Sequence, residues 1–73
     1  MRRYYFSLED GHPLADPLGE DLADDEAAIE AARQIAADLA RHNRNPGNLR
    51  IVVRDRENRN VGEAPLMEAR FAK

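Results

Sequence analysis

The sequence predicts a single α+β domain over residues 1–73, with the element order β-β-α-β-β and one helix packed on one face of a small, mainly antiparallel sheet. Three observations lead to this prediction. Apolar and polar residues alternate near the beginning of the chain, an alanine-rich amphipathic segment occupies the middle, and β-branched residues alternate with arginines after it. With 73 residues and no cysteine, the chain forms one domain with a thin core that no disulfide reinforces.

The first quarter of the chain predicts two strands separated by turns. Residues 4–8 alternate with a period of two and are rich in aromatic side chains, which is typical of a strand. Asp10-Gly11 favours a turn, because glycine adopts positive φ without steric cost. Residues 12–15 return as a short second strand that Pro13 restricts to an edge. The segment 16–19, which contains Pro17, predicts another turn.

The middle of the chain predicts one helix. It begins near Asp24 or Asp25, where either carboxylate can cap free amide groups. It ends around residues 42–45, because Pro46 cannot continue it. At 100° per residue, one stripe of its surface is apolar. That stripe contains Ala28, Ile29, Ala32, Ile35, Ala36 and Leu39.

The last third predicts a strand, a hairpin and a second strand. Residues 49–53 alternate and carry β-branched side chains at their centre. The polar segment 55–60 forms the hairpin turn, in which Asn58 is the residue best suited to the left-handed conformation. A strand then runs over residues 61–66, and Pro65 favours an edge or a bulge there. Residues 67–72 fit either a longer strand or a helical turn.

The alternation assigns side chains to two faces of the sheet. The face that packs on the helix is predicted to hold Tyr4, Phe6, Leu8, Leu49, Ile51 and Val53. The opposite face is predicted to hold Tyr5, Ser7, Arg50, Val52 and Arg54. Since one helix covers one side, this second face is expected to be open.

Five features in this order resemble a known bacterial family of small proteins, frequent in alphaproteobacteria and described as a domain of unknown function. They are Arg3-Tyr4-Tyr5-Phe6, Asp10-Gly11, Asp16 with Gly19 and Leu22, the alanine-rich helix 27–40, and Asp55 with Arg59. One departure is Asn58, where the family usually has glycine. The resemblance implies a fold and a bacterial source. It implies no activity, and no catalytic residue is carried over from it.

The residue inventory does not favour catalysis. The two histidines, His12 and His42, lie in different parts of the chain without the spacing of zinc proteases. Ser7 is the only serine and threonine is absent, so no nucleophile–base pair is visible. The carboxylates of residues 9–24 do not match the calcium-loop spacing and are interpreted as turn and capping residues. We therefore expect no enzyme activity, no metal site and no cofactor.

The open sheet face is the predicted binding surface, because tyrosine and arginine are favoured at protein contacts. Its candidate residues are Tyr5, Arg50, Val52 and Arg54. The leading hypothesis is a protein-interaction or regulatory module that contacts an unknown protein partner or a second copy of itself. Tyr5 and Val52 supply the apolar part of the expected contact.

The alternative hypothesis is a nucleic-acid-binding module. Its candidate residues are Arg2, Arg3, Tyr5, Arg50 and Arg54, with the tyrosine as a base-stacking platform. Against it, the formal net charge is −3, whereas nucleic-acid-binding domains are usually basic. We place this hypothesis second.

The chain shows no sign of a membrane association. No apolar run approaches the roughly 20 residues that span a bilayer. The basic start is not followed by the apolar core of a signal peptide. We therefore expect a cytoplasmic protein.

Overall fold

The computed structural model describes residues 1–11, 17–42 and 47–66, and the strands and the helix follow the predicted order β-β-α-β-β. The elements are β1 (Arg2–Glu9), β2 (Leu18–Leu22), α1 (Asp25–His42), β3 (Arg50–Asp55) and β4 (Asn60–Pro65). The strands form one sheet in the order β2-β1-β3-β4, and all three neighbouring pairs are antiparallel. The predicted α+β class is confirmed.

The structure places β2 where the sequence predicts part of a turn. The strand expected at residues 12–15 lies outside the described residues. The second strand that the structure describes, β2, runs from Leu18 to Leu22. The turn expected over residues 16–19 is wrong at its end, because Leu18 and Gly19 already pair with β1. The alternation of β2 is weak in sequence, since glycine and two acids occupy its centre.

Gly19 is needed for a close approach rather than for a turn. It lies directly opposite Tyr5 in the sheet. A Cβ atom built on it would lie 2.9 Å from Arg3 Nη2 and 3.1 Å from Tyr5 Cε1. Both distances are shorter than ordinary van der Waals contacts. The absence of a side chain at Gly19 therefore leaves the space in which Arg3 and Tyr5 pack.

The helix starts where the sequence predicts. The backbone N–H of Ala27 donates to Asp24 Oδ1 at 2.8 Å, so Asp24 is the N-cap residue. Asp25 and Glu26 in the first turn suit the positive end of the helix dipole. The helix buries a stripe of small residues on the sheet, namely Ala28, Ala32, Ala36 and Ala40. Their size lets the helix lie close to the strands.

The core lies between α1 and the face of the sheet that was predicted for it. Its buried members on the strands are Tyr4, Phe6, Ile51, Val53 and Ala64, joined by Leu66, with Leu8 and Leu49 packed at its margin. The helix packs mainly on β3 and β4. The Tyr4 hydroxyl donates to Asp25 Oδ1 at 2.6 Å and so ties β1 to the start of α1. Burial, together with this hydrogen bond, raises the pKa of Tyr4.

The hairpin between β3 and β4 forms as predicted. Asn58 has φ 65°, the left-handed conformation expected of it. Asp55 Oδ1 accepts from the backbone N–H groups of Arg59 and Glu57, each at 2.9 Å. These bonds, the one to Arg59 first, lower the pKa of Asp55. Asp55, the first residue of the turn, therefore stabilises it through these two hydrogen bonds.

Gly62 in β4 lies close to the helix. A Cβ atom there would lie 3.1 Å from Ile29 Cγ1, so a larger side chain crowds the Ile29 side chain. We expect Gly62→Val to lower the free energy of unfolding by about 1–3 kcal/mol through overpacking. Chemical denaturation measures the change. Ile29→Ala removes the obstructing atoms and should relieve part of that loss in the double variant. Strict additivity of the two changes would contradict the proposed contact.

Candidate interaction surface

The face of the sheet opposite α1, called the open face below, brings together the predicted binding residues. Residues directly opposite each other in neighbouring strands share a face, and the register places Tyr5 beside Arg54 and Ser7 beside Val52. The side chains that the register assigns to this face include Arg3, Tyr5, Ser7, Glu9, Asp21, Arg50, Val52, Arg54 and Glu63. Tyr5, Arg50, Val52 and Arg54 therefore lie where the sequence places them.

Val52 is buried although no helix covers its side of the sheet. Its relative exposure is 2%, and its neighbour Ser7 is exposed to only 3%. The expectation that Val52 offers an exposed apolar side chain is therefore wrong. A partner cannot contact this side chain directly. Two ion pairs on the same face, Arg54–Glu9 and Arg50–Glu63, flank Val52 and are called the ion-pair cover below.

The Arg54–Glu9 pair runs along the sheet. Arg54 Nη1 lies 2.7 Å from Glu9 Oε2, but the residue directly opposite Arg54 is Tyr5. Glu9 is four residues further along β1, about 13 Å away at the rise of a strand. The two side chains must therefore extend toward each other across the row formed by Ser7 and Val52. Ser7 Oγ donates to the same carboxylate oxygen of Glu9 at 2.9 Å.

The second pair reaches Val52 from the other side. Glu63 in β4 lies directly opposite Val52, and Arg50 precedes Val52 by two residues on the same face. Arg50 Nε lies 3.0 Å from Glu63 Oε1, although the atoms are not aligned for a hydrogen bond. Charged side chains from both neighbouring strands, β1 and β4, thus flank Val52.

Glu9 is a buried carboxylate that remains charged. Its relative exposure is 6%. The hydrogen bond from the Arg54 guanidinium lowers the pKa of Glu9, the Ser7 hydroxyl adds to this effect, and burial opposes it. The same contact raises the pKa of Arg54. The sequence pattern predicts a turn or capping role for Glu9 and does not indicate this ion pair.

Tyr5 is the accessible aromatic residue of the open face. Its relative exposure is 36%. The guanidinium carbon of Arg3 lies 6.0 Å from the centre of its ring, at the outer limit of a cation–π contact. Arg3 Nη1 also lies 3.3 Å from Asp21 Oδ1, and this contact raises the pKa of Arg3. Tyr5 is therefore held between Arg3 and the bare backbone of Gly19.

A shallow cavity of about 270 Å³ adjoins Tyr5. It extends from the tyrosine toward the β3–β4 hairpin and is lined by Pro17, Arg54 and Asn58 among others. Apolar, aromatic and charged groups meet there. Such a mixture suits a side chain inserted by a protein partner.

The arginines proposed for nucleic-acid contacts all have carboxylate neighbours. Arg2 lies 3.8 Å from Asp25, and Arg3, Arg50 and Arg54 make the pairs described above. A surface that neutralises phosphates needs cations in excess of anions. The arrangement of charges on this face does not provide that excess.

Within the part of the chain that the structure describes, no three histidine, cysteine or acidic side chains are grouped as metal ligands. His42 is exposed at the end of α1, and His12 lies outside the described residues. Among the same residues, no helix has the length and apolar character needed to cross a membrane.

Comparison with protein families identifies a family that this chain matches. The model of the family described as "Domain of unknown function (DUF6894)" matches residues 3–68. This range includes the helix, β2, β3, β4, all of β1 except Arg2, and every residue of the open face. Searches of curated proteins and of solved structures find no match.

Proposed function

We propose a protein-binding function for this chain, which belongs to the DUF6894 family of domains of unknown function. The contact surface is the open face, centred on Tyr5. The domain works as a non-enzymatic interaction or regulatory module. Its bacterial origin and its cytoplasmic location are part of the same proposal.

The exposed ring of Tyr5 carries the proposal. Tyrosine contributes a large contact area at a low entropic cost and is enriched among residues that dominate protein interfaces. The ring is supported by Arg3 and adjoins a cavity, so a partner can contact both. The ion-pair cover supplies a charged margin around it, with Arg54 and Glu9 as its nearest pair. An aromatic centre within a polar rim is the usual composition of a protein interface.

Protein binding is favoured over nucleic-acid binding by the charge balance. Arg3, Arg50 and Arg54 are each matched by an acid on the open face. A nucleic acid approaching this face would meet the carboxylates of Asp21 and Glu63 as well as the arginines. A protein surface with its own mixed charges does not suffer that repulsion.

The test uses Tyr5→Ser, with Tyr5→Phe as the matched control that keeps the ring. The wild type and both variants are used to capture partners, with and without nuclease, from lysate of cells that carry the natural protein. The captured protein is then purified and titrated against all three forms. We expect Tyr5→Ser to weaken binding at least about tenfold, because central interface aromatics are typically worth 2 kcal/mol or more. Tyr5→Phe should bind as the wild type does.

Two outcomes would contradict the proposal. Equal binding by Tyr5→Ser and the wild type would remove Tyr5 from the contact. Partners that vanish on nuclease treatment, with affinity that falls steeply with salt, would instead favour the nucleic-acid hypothesis. Self-association lost in Tyr5→Ser would identify the partner as a second copy of the chain.

A further inference from the structure

We propose that the outer edge of β2 binds an extended basic segment of another protein, which adds to the sheet as an additional strand. The sheet order places β2 at the edge next to β1. Edge strands present a row of unpaired backbone donors and acceptors along their outer side. This site adjoins the open face, with which it shares Asp21, but it does not depend on the function proposed for Tyr5.

The side chains of β2 remain accessible. Leu18 is exposed to 64% and Glu20 and Asp21 are exposed as well, whereas Leu22 is half-buried. The helix packs mainly on β3 and β4 and makes little contact with β2. An incoming strand would therefore find both the backbone edge and its flanking side chains free of the helix.

The pattern of β2 specifies the chemistry of the occupant. On the side of the sheet that faces α1, β2 presents Leu18, Glu20 and Leu22 in a row. Cross-strand neighbours of opposite charge attract, and apolar neighbours pack. In the part of the chain that the structure describes, no ion pair is recorded for Glu20, while Asp21 is shared with Arg3. The matching segment carries lysine or arginine opposite the acids and apolar residues at either end.

Charge also argues against a second copy of the chain on this edge. In the antiparallel register that pairs all five residues of β2 with their copies, Glu20 lies opposite Glu20. Like charges placed directly opposite each other in a sheet are destabilising. The acids of β2 thus disfavour pairing of two identical edges and favour a basic strand.

The probe is a capped peptide, Thr-Val-Lys-Lys-Thr-Val-Thr, whose lysines fall opposite Asp21 and Glu20 in the antiparallel register. The control peptide has glutamate in place of both lysines. Titration of the full chain by two-dimensional NMR should shift the backbone amides of residues 18–22. Glu20→Lys should weaken binding of the lysine peptide about tenfold, since attraction becomes repulsion. Asp38→Lys, with the same change in charge on the exposed face of α1, should bind normally.

N-methylated peptides distinguish strand addition from simple charge attraction. Two peptides are compared, each methylated on one of the two alternating sets of backbone nitrogens. One should lose binding and the other should keep it, because only alternate N–H groups face β2. The proposal would be overturned if both methylated peptides bound equally well, or if the glutamate peptide bound as well as the lysine peptide. Amide shifts centred on Tyr5 instead of β2 would also overturn it. Tyr5→Ser should bind the peptide normally, so failure here and failure of the Tyr5 surface are distinguishable.

Discussion

Replacement of Phe6 by alanine is expected to lower the free energy of unfolding by about 3–5 kcal/mol. Phe6 is exposed to only 4% and lies in β1 opposite Val53, within the core beneath α1. Its removal leaves a cavity that a rigid sheet cannot fill. A chain of this length has a total stability of roughly 4–11 kcal/mol at typical values per residue. The variant should therefore be partly unfolded at 37 °C in thermal and denaturant unfolding followed by circular dichroism.

The neighbouring residue provides the matched control. Tyr5 precedes Phe6 in the same strand but points to the open face. Tyr5→Ala should cost under about 1 kcal/mol, because substitutions at accessible positions away from the core have small effects. Similar losses in the two variants would contradict the assignment of faces. A folded Tyr5 variant is also what the binding experiment requires.

Side-chain periodicity made most of the fold predictable. The alternation around Phe6 and around Ile51 identified two strands and their buried faces, and Asp24 and Asn58 marked the helix start and the hairpin. The strand at residues 18–22 was not predicted, because Gly19 resembles a turn residue. Its lack of a side chain serves the packing of Arg3 and Tyr5 instead. That reason depends on a neighbour 14 positions away, which local patterns do not contain.

Less of the candidate surface could be predicted from the sequence. The sequence placed Arg54 and Val52 on one face, but it did not specify that β1 and β3 are neighbours in a given register. Only that register brings Glu9 within reach of Arg54, 45 positions later in the chain. Arg50 and Arg54, which the sequence pattern left free for a ligand, therefore form ion pairs with acids of the neighbouring strands. The buried valine beneath them follows from the same pairing.

Replacement of Glu9 by glutamine should lower the free energy of unfolding by about 2–3 kcal/mol at pH 7. Glu9 is buried, and its carboxylate accepts hydrogen bonds from Arg54 and Ser7. Loss of Glu9 leaves the half-buried Arg54 without its partner charge, and hydrogen bonds to charged groups are worth about 1.5–3 kcal/mol. Denaturant unfolding at pH 7 measures the loss.

The stabilising effect of Glu9 should depend on pH with a defined sign. Its pKa is lower in the folded chain than the value of about 4.3 expected when unfolded. The unfolded chain then binds more protons between these two values, so stability rises with pH across that interval. The contribution is fully present above about pH 5 and disappears as the pH falls through the folded pKa. The difference in stability between the wild type and Glu9→Gln should therefore shrink as the pH is lowered from 5.

A double-mutant cycle tests whether Glu9 acts through Arg54. Glu9→Gln, Arg54→Gln and the double variant should show a coupling energy of about 1–3 kcal/mol, the range for residues in direct contact. The exposed pair Glu57–Arg59, whose atoms lie 3.0 Å apart, is the control and should couple much less. Additive losses at Glu9 and Arg54 would contradict the ion-pair cover. Strong coupling would mean that this ion pair stabilises the sheet on a face where the helix supplies no packing.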